Sequence, residues 1–435
     1  MSDTKRPAFH QLRKLTASVM VLLLLVASVG RGDTISDLRL TAGAHEQDLV
    51  RWELTHFMDK WFTRAADLIW PGTPTNSERL LAVEEFFDLR DDLAEAQRSV
   101  ARTLASVAPS AQTVIETQEA VDALQQRRSE LQALVEETLE AVISNVADKQ
   151  GVIGGIGPLR WPPVDFTFEE RALVLVRSPR DRIERLDDLL LDPGVTLPEQ
   201  DTLERDVESL NTNTSALVVR IGGVATYPAQ VSPDRSLHGT LELAAHEWLH
   251  HWLMFKPLGK RWFAGGELQS INETVANIFG QEIGDLALED LTGEHFERAV
   301  WAPPIVHAPD ALSADTFDFR REMQRTRFRL EELLEAGLVD DAETFLEERR
   351  LAFASSGYSI RKLNNAWFAF NGTYADSPAS ISPIEGQLRS IRADSADLSA
   401  FLNRVAGITQ TGDLEAIALS AGWVPIDTTT GLPLP

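Results

Sequence analysis

The stretch His246-Glu247-Trp248-Leu249-His250 constrains this chain more than any other. It lies in a run, Leu241 to Phe255, whose pattern predicts a helix. Residues four apart on a helix share a face, so both imidazoles can reach a single metal ion. Glu247 follows the first histidine by one position, about 100° around the helix. It can touch a metal-bound water without being a ligand itself. Polarising a water and taking its proton requires that arrangement. The competing reading is a buried helix whose histidines only form hydrogen bonds. With nine histidines in the chain, a chance H-E-x-x-H is an event on the order of a per cent.

A second helical run is expected from about Glu267 to Ile283, and it contains Asn272-Glu273-Thr274-Val275-Ala276-Asn277. With these two motifs the chain resembles the gluzincin zinc metallopeptidases, in which H-E-x-x-H supplies two ligands and a glutamate on the next long helix a third. The resemblance implies one Zn2+ held by His246, His250 and Glu273, with Glu247 as general base. Many gluzincins carry an aspartate four residues after the third ligand, where it orients the first histidine. Asn277 stands there in this chain. An amide can accept the imidazole N–H but brings no charge, so it polarises the ligand less. Ile271, Val275 and Ile278 form the apolar stripe of this helix, while Ala276 and Gly280 flank the glutamate side. Small residues there would let the helix approach a neighbour closely, as a shared metal requires. Gly265-Gly266 provides the turn between the two helices.

The N-terminus points to the compartment. Lys5, Arg6, Arg13 and Lys14 precede an apolar run from Leu15 to Val29, and Arg31 and Asp33 end it. A basic flank followed by a short apolar centre is an export signal or signal anchor, and the residues beyond it are expected outside the cytoplasm, secreted or held at the membrane by this segment. The net charge of −25 disfavours nucleic acid and anionic membrane surfaces as partners of the folded part. With no cysteine, the chain has no disulfide, thiolate metal site or cysteine nucleophile.

The organisation expected is mainly helical α+β. Residues 1–33 form the signal segment, 34–150 a helical domain, 151–163 a Gly/Pro-rich linker and 164–435 a metallopeptidase-like catalytic domain. In the second part, His45 to Trp70, Ser77 to Ser106 and Ser110 to Lys149 read as helices. The last two are expected as an antiparallel hairpin, coiled-coil-like, either an arm beside the catalytic part or an ordinary bundle. Strands are expected at Ala172 to Val176, Ala216 to Ile221 and Val224 to Tyr227. By resemblance, the segment Val224 to Tyr227 is the edge strand along which a gluzincin substrate pairs, with Pro228 limiting its extent. Further helices are expected at Phe317 to Ala336, Asp340 to Phe353 and Ile360 to Phe370. Arg361-Lys362-Leu363-Asn364-Asn365-Ala366 resembles a stretch in a bacterial group assigned as aminopeptidases of the same clan.

Hydrolysis of a peptide by activated water develops an oxyanion, which a tyrosine or histidine donor commonly stabilises. The chain has three tyrosines, Tyr227, Tyr358 and Tyr374. Tyr374 follows the helix expected from Ile360, C-terminal to the zinc site, where related peptidases place such a donor; Tyr358 and then His307 are the next candidates. His251 points away from His250 and is not expected to be a ligand, and His238 is expected at a helix start. The function expected is zinc-dependent hydrolysis of a peptide or protein substrate. The alternative is a catalytically inactive, zinc-stabilised binding or scaffold protein, against which the intact Glu247 speaks.

Overall fold

The computed structural model describes residues 36–56, 60, 74–106, 110–156, 159–262, 265–298 and 317–425. The segment Leu15 to Val29, His307 and much of the run His45 to Trp70 lie outside these residues. Among the described residues no helix is long and apolar enough to cross a membrane. The architecture is mainly helical α+β, with three small sheets.

The N-terminal part opens with α1 (Asp37–Ala42) and a helical stretch at 49–56, followed by the long pair α2 (Asn76–Leu104) and α3 (Ala111–Lys149). A full capping box at Thr75 and Glu78 starts α2. The hairpin is packed into the molecule rather than held apart as an arm. Val135, Leu139 and Ile143 of α3 share one core with Trp248, Ile278 and Phe279 of the helices described next.

Residues 151–163, expected as a plain linker, contain a two-stranded ribbon, β1 (Gly154–Ile156) and β2 (Leu159–Trp161). Runs of three residues carry too little periodicity for sequence reasoning to register. Next come β3 (Phe166–Phe168), β4 (Leu173–Pro179), β5 (Asp187–Leu191), α4 (Leu197–Ser209), β6 (Thr214–Arg220), β7 (Gly223–Val224) and β8 (Ala229–Val231). One sheet has the order β5-β4-β6, antiparallel throughout. Leu173 and Leu175 of β4 face a core shared with α1 and α4, while Val174 and Val176 face the opposite core. That is the period-two alternation of a strand covered on both faces. The other sheet has the order β3-β8-β7, so β7 lies at an edge. It is two residues long, shorter than the strand expected at Val224 to Tyr227. Thr226 N–H donates back to Val224 O at 2.8 Å, and a cis bond joins Tyr227 to Pro228, so the chain turns there.

Two helices form the centre. Helix α5 (Leu237–Leu253) is capped by Ser236, whose hydroxyl accepts from Gly239 N–H. A short α6 (Pro257–Lys260) and two glycines at φ +68° and +58°, Gly265 and Gly266, lead into α7 (Gly266–Thr292). Only glycine adopts such angles at low cost. Helix α7 runs well past the expected end at Ile283 and stops at Gly293, in the left-handed conformation typical of a C-terminal cap. The expected close approach of the two helices occurs. A Cβ on Gly280 would lie 2.6 Å from Glu242 O, and one on Gly284 would lie 2.6 Å from Glu242 Cγ. Trp248 is wholly buried between layers, stacked on Phe279 at 5.5 Å and donating through Nε1 to Pro162 O at 3.1 Å.

The C-terminal part comprises α8 (Phe319–Glu335), α9 (Val339–Ser355), α10 (Asn365–Asn371), α11 (Ile384–Ala393), α12 (Leu398–Val405) and α13 (Thr411–Ser420). Helix α10 starts five residues later than the expected Ile360, because the residues before it act as anchors. Arg361 reaches Asp201 at 2.7 Å and the buried Glu204; Lys362 reaches Glu208 at 2.7 Å. Asn364 caps α10 and donates to Ala216 O at 3.0 Å, and Asn365 donates to Arg180 O at 2.8 Å. This clamp seats α10 on the face of the β5-β4-β6 sheet and so places the loop after it, which carries Tyr374.

Candidate metal centre

His246 and His250, one turn apart on α5, aim their Nε2 atoms at the same point as Glu273, in the first third of α7. The two Nε2 atoms are 3.1 Å apart. Glu273 Oε2 is 3.3 Å from His246 Nε2 and 3.6 Å from His250 Nε2. These three separations define a circle of radius about 1.9 Å. Tetrahedral zinc, with ligands at about 2.0–2.1 Å, requires donor atoms roughly 3.3 Å apart. The triangle therefore matches three corners of such a site and leaves the fourth for water.

The chemistry of the donors agrees with the distances. His250 Nδ1–H donates to Asn272 Oδ1 at 3.0 Å, which in the neutral ring leaves Nε2 as a bare lone pair facing inward. Glu273 Oε2 is buried and accepts no hydrogen bond. An orphaned carboxylate oxygen beside imidazole nitrogens is costly unless a cation sits among them. Burial alone would raise the Glu273 carboxyl, yet the two imidazoles bring it down to about 2. The His246 ring is pushed the other way. Burial opposes its charge, but Glu273, Glu247 and Asp376 raise its pKa on balance. The residues present fit a divalent cation.

Glu247 is buried beside the two histidines. Burial raises its pKa, with His246 and His250 opposing the shift. Its carboxylate lies against the edge strand: a Cβ on Gly223 of β7 would come within 2.5 Å of Glu247 Oε1. The glycine is thus what admits a carboxylate between the edge strand and the two histidines.

Asn277 does not take the role expected for it. Its amide donates to Asp376 Oδ1 at 2.8 Å, one turn beyond Glu273. Asp376, partly exposed in the loop after α10, is the acidic group whose charge acts on His246 from this side. Nothing in the sequence marked it: an isolated aspartate in a Ser/Ala/Pro turn has no local signature. Asn272 was also missed, although it adjoins Glu273, because a helix position gives no sign of which neighbour its amide meets.

Of the three tyrosines, Tyr374 is the one whose hydroxyl is under the charges of Glu273 and Glu247. Burial, then the Glu273 and Glu247 carboxylates, hold its hydroxyl well above the usual pKa, so it stays a proton donor. Its ring packs near Phe370, centroids 6.2 Å apart. Tyr358 is elsewhere, half-exposed against Phe319 with centroids 4.6 Å apart. The Tyr227 hydroxyl donates to Asp165. His251 donates through Nε2 to Thr226 O at 2.7 Å, and burial lowers it to about 4, so it is a neutral structural group. His238 sits at the start of α5, bonded to Asp285 at 2.7 Å. Comparison with known proteins finds no matching family model, no matching characterised protein and no matching solved structure.

Proposed function

We propose that this chain is a zinc metallopeptidase whose His246, His250 and Glu273 hold one zinc ion. The observation that supports this most is the triangle of donor atoms, 3.1, 3.3 and 3.6 Å on its sides, one corner of which is a buried carboxylate oxygen with no hydrogen bond. A zinc ion held there would act as a Lewis acid and lower the pKa of a bound water to about 7. Glu247 receives the proton of the attacking water and later passes it to the leaving amine. Its raised pKa brings it closer to the range in which a carboxylate both accepts and returns a proton. The peptide lies along β7, the edge strand against which Glu247 packs. Tyr374 donates to the oxygen on which negative charge develops. A metal-stabilised binding protein would need none of the proton chemistry that Glu247 is placed to perform. In the reading favoured here, Glu247→Gln keeps one equivalent of zinc and loses about 10²–10⁴-fold in kcat/KM on a peptide library. Near-normal turnover in that variant would refute the mechanism, and absence of metal in the purified parent protein would refute the site.

A further inference from the structure

Between Glu247 and Glu267 the chain has no acidic residue, in a protein of net charge −25. This stretch covers the end of α5, α6 and the turn into α7. Met254 and Phe255 are 37% and 41% exposed, and Trp161 of β2, 39% exposed, lies beside them with its ring 6.1 Å from that of Phe255. Lys256 Nζ stands over the Trp252 ring at 4.4 Å. Lys256, Lys260 and Arg261 bond no carboxylate among the described residues, whereas arginines elsewhere, such as Arg180, Arg361 and Arg392, are held by two acids or a bidentate one. Large apolar side chains and unneutralised cations thus share one face.

We propose that this face docks on an anionic lipid surface, with Trp161, Met254 and Phe255 at headgroup depth and Lys256, Lys260 and Arg261 against lipid phosphates. Aromatic side chains favour that depth, and cations beside them add attraction to anionic lipid. The overall charge opposes adsorption in most orientations. Screening confines each charge to about 8 Å at physiological salt, so distant acids do not cancel a cationic face that touches the bilayer. The charge balance therefore selects this orientation. The apolar segment Leu15 to Val29, expected to bring the chain to a membrane, makes a bilayer the fitting occupant. Docking does not depend on the metal, but it bears on the metal's use. Trp262 packs on His250 with ring centroids 5.0 Å apart, so the docked face borders the donor triangle and would present it to peptide segments emerging at the bilayer surface.

The chain has no cysteine, so single reporters are simple to install. Full-length Phe255→Cys carries a polarity-sensitive fluorophore, with Leu351→Cys, 55% exposed on α9, as the reference and Met254→Cys as the second reporter should Phe255→Cys misfold. Each is mixed with vesicles of phosphatidylcholine alone or of phosphatidylcholine with phosphatidylglycerol. The label at 255 becomes shielded from a water-soluble quencher in the anionic vesicles only, while that at 351 stays accessible. Adding Lys256→Glu, Lys260→Glu and Arg261→Glu lowers the partitioning of the 255 label about a hundredfold, each cation being worth roughly fivefold. Equal accessibility at 255 and 351 overturns the proposal. So does shielding that survives charge reversal. Shielding at 255 without vesicles also overturns it and assigns the face to a protein partner or a second copy of the chain.

Discussion

Helices α5 and α7 carry two clusters of histidine and carboxylate groups, and they differ in one respect. The first is His246, His250 and Glu273. The second, two turns nearer the start of α5, is His238, Glu242 and Asp285, whose ligand-type atoms also lie within 4.8 Å of one another. In the second, Arg298 fills the middle: its guanidinium bonds Glu242 and lies 2.7 Å from Asp285 Oδ1. The first holds no lysine or arginine among the described residues, only the two imidazoles, and Glu273 Oε2 is left without a hydrogen bond. Composition alone would rate the clusters alike. The difference is whether the protein supplies its own counter-charge. A third buried cluster makes the same point. Lys60 bonds both Glu136 and Glu140 at 2.8 Å, and the remaining lone pairs accept the backbone N–H groups of Phe168 and Phe166. Saturated clusters hold elements together, whereas a cluster short of one cation's worth of charge is a place for a ligand.

The largest effect should come from removing a donor on either side of that comparison. His250→Ala takes away one of the three proposed ligands and should weaken zinc binding by roughly 10³-fold or more, with activity falling in step. His238→Ala should leave metal content unchanged, because Arg298 already occupies its cluster. Metal analysis of the two purified variants decides. Loss of zinc in His238→Ala, or its retention in His250→Ala, would reverse the assignment.

Next in size is Tyr374→Phe. With its hydroxyl held protonated beside the Glu247 and Glu273 charges, the phenol should contribute to the transition state more than to ground-state binding. Turnover should drop by roughly two orders of magnitude with KM and zinc content little changed. Unchanged steady-state kinetics would exclude the role.

The two glycines of α7 separate the clusters by packing. A Cβ at 280 meets His246 Cβ at 3.0 Å as well as Glu242 O, while one at 284 meets only Glu242 atoms. Both Gly280→Ala and Gly284→Ala should destabilise by about 1–3 kcal/mol, since each Cβ would also meet Glu242 backbone, O at 2.6 Å from 280 and Cα and N at 2.9 Å from 284, which cannot move aside. Only Gly280→Ala should also weaken zinc binding, through the displaced His246. Equal zinc affinity in both, measured beside their denaturation midpoints, would mean that the helix spacing does not set the donor triangle.

How much of this was legible beforehand follows the range of the interactions. The helix pair was readable because H-E-x-x-H, the apolar stripe of Ile271, Val275 and Ile278, and the small residues Ala276 and Gly280 are periodic local patterns. The sheets were partly readable: Leu173 to Val176 is continuously apolar, but Asp187–Leu191 opens with two acids and β1 has little besides glycine. Contacts across the chain were not readable. Asp376 meets Asn277 across 99 positions, and no feature near either residue announces the pairing. The departure at Asn277 from the gluzincin pattern was visible; where the missing charge comes from was not.

The smallest expected effect is the most direct test of the contrast between the clusters. Arg298 is partly exposed, so the ion pairs it makes should stabilise the fold by only about 1 kcal/mol. Arg298→Ala should therefore fold. It leaves His238, Glu242 and Asp285 arranged as before but without a counter-charge, which is the condition of the first cluster. Titration calorimetry of metal-free protein with zinc should then show one equivalent in the parent and a second, weaker equivalent in Arg298→Ala, abolished by adding His238→Ala. The second site is expected to be weaker because its groups are more exposed and its histidine lacks the amide that orients His250. Two equivalents in the parent would mean that Arg298 does not close the cluster. One equivalent in the variant would mean that a missing counter-charge is not sufficient, and that the 3.1–3.6 Å spacing of the His246, His250 and Glu273 donors carries the selectivity by itself.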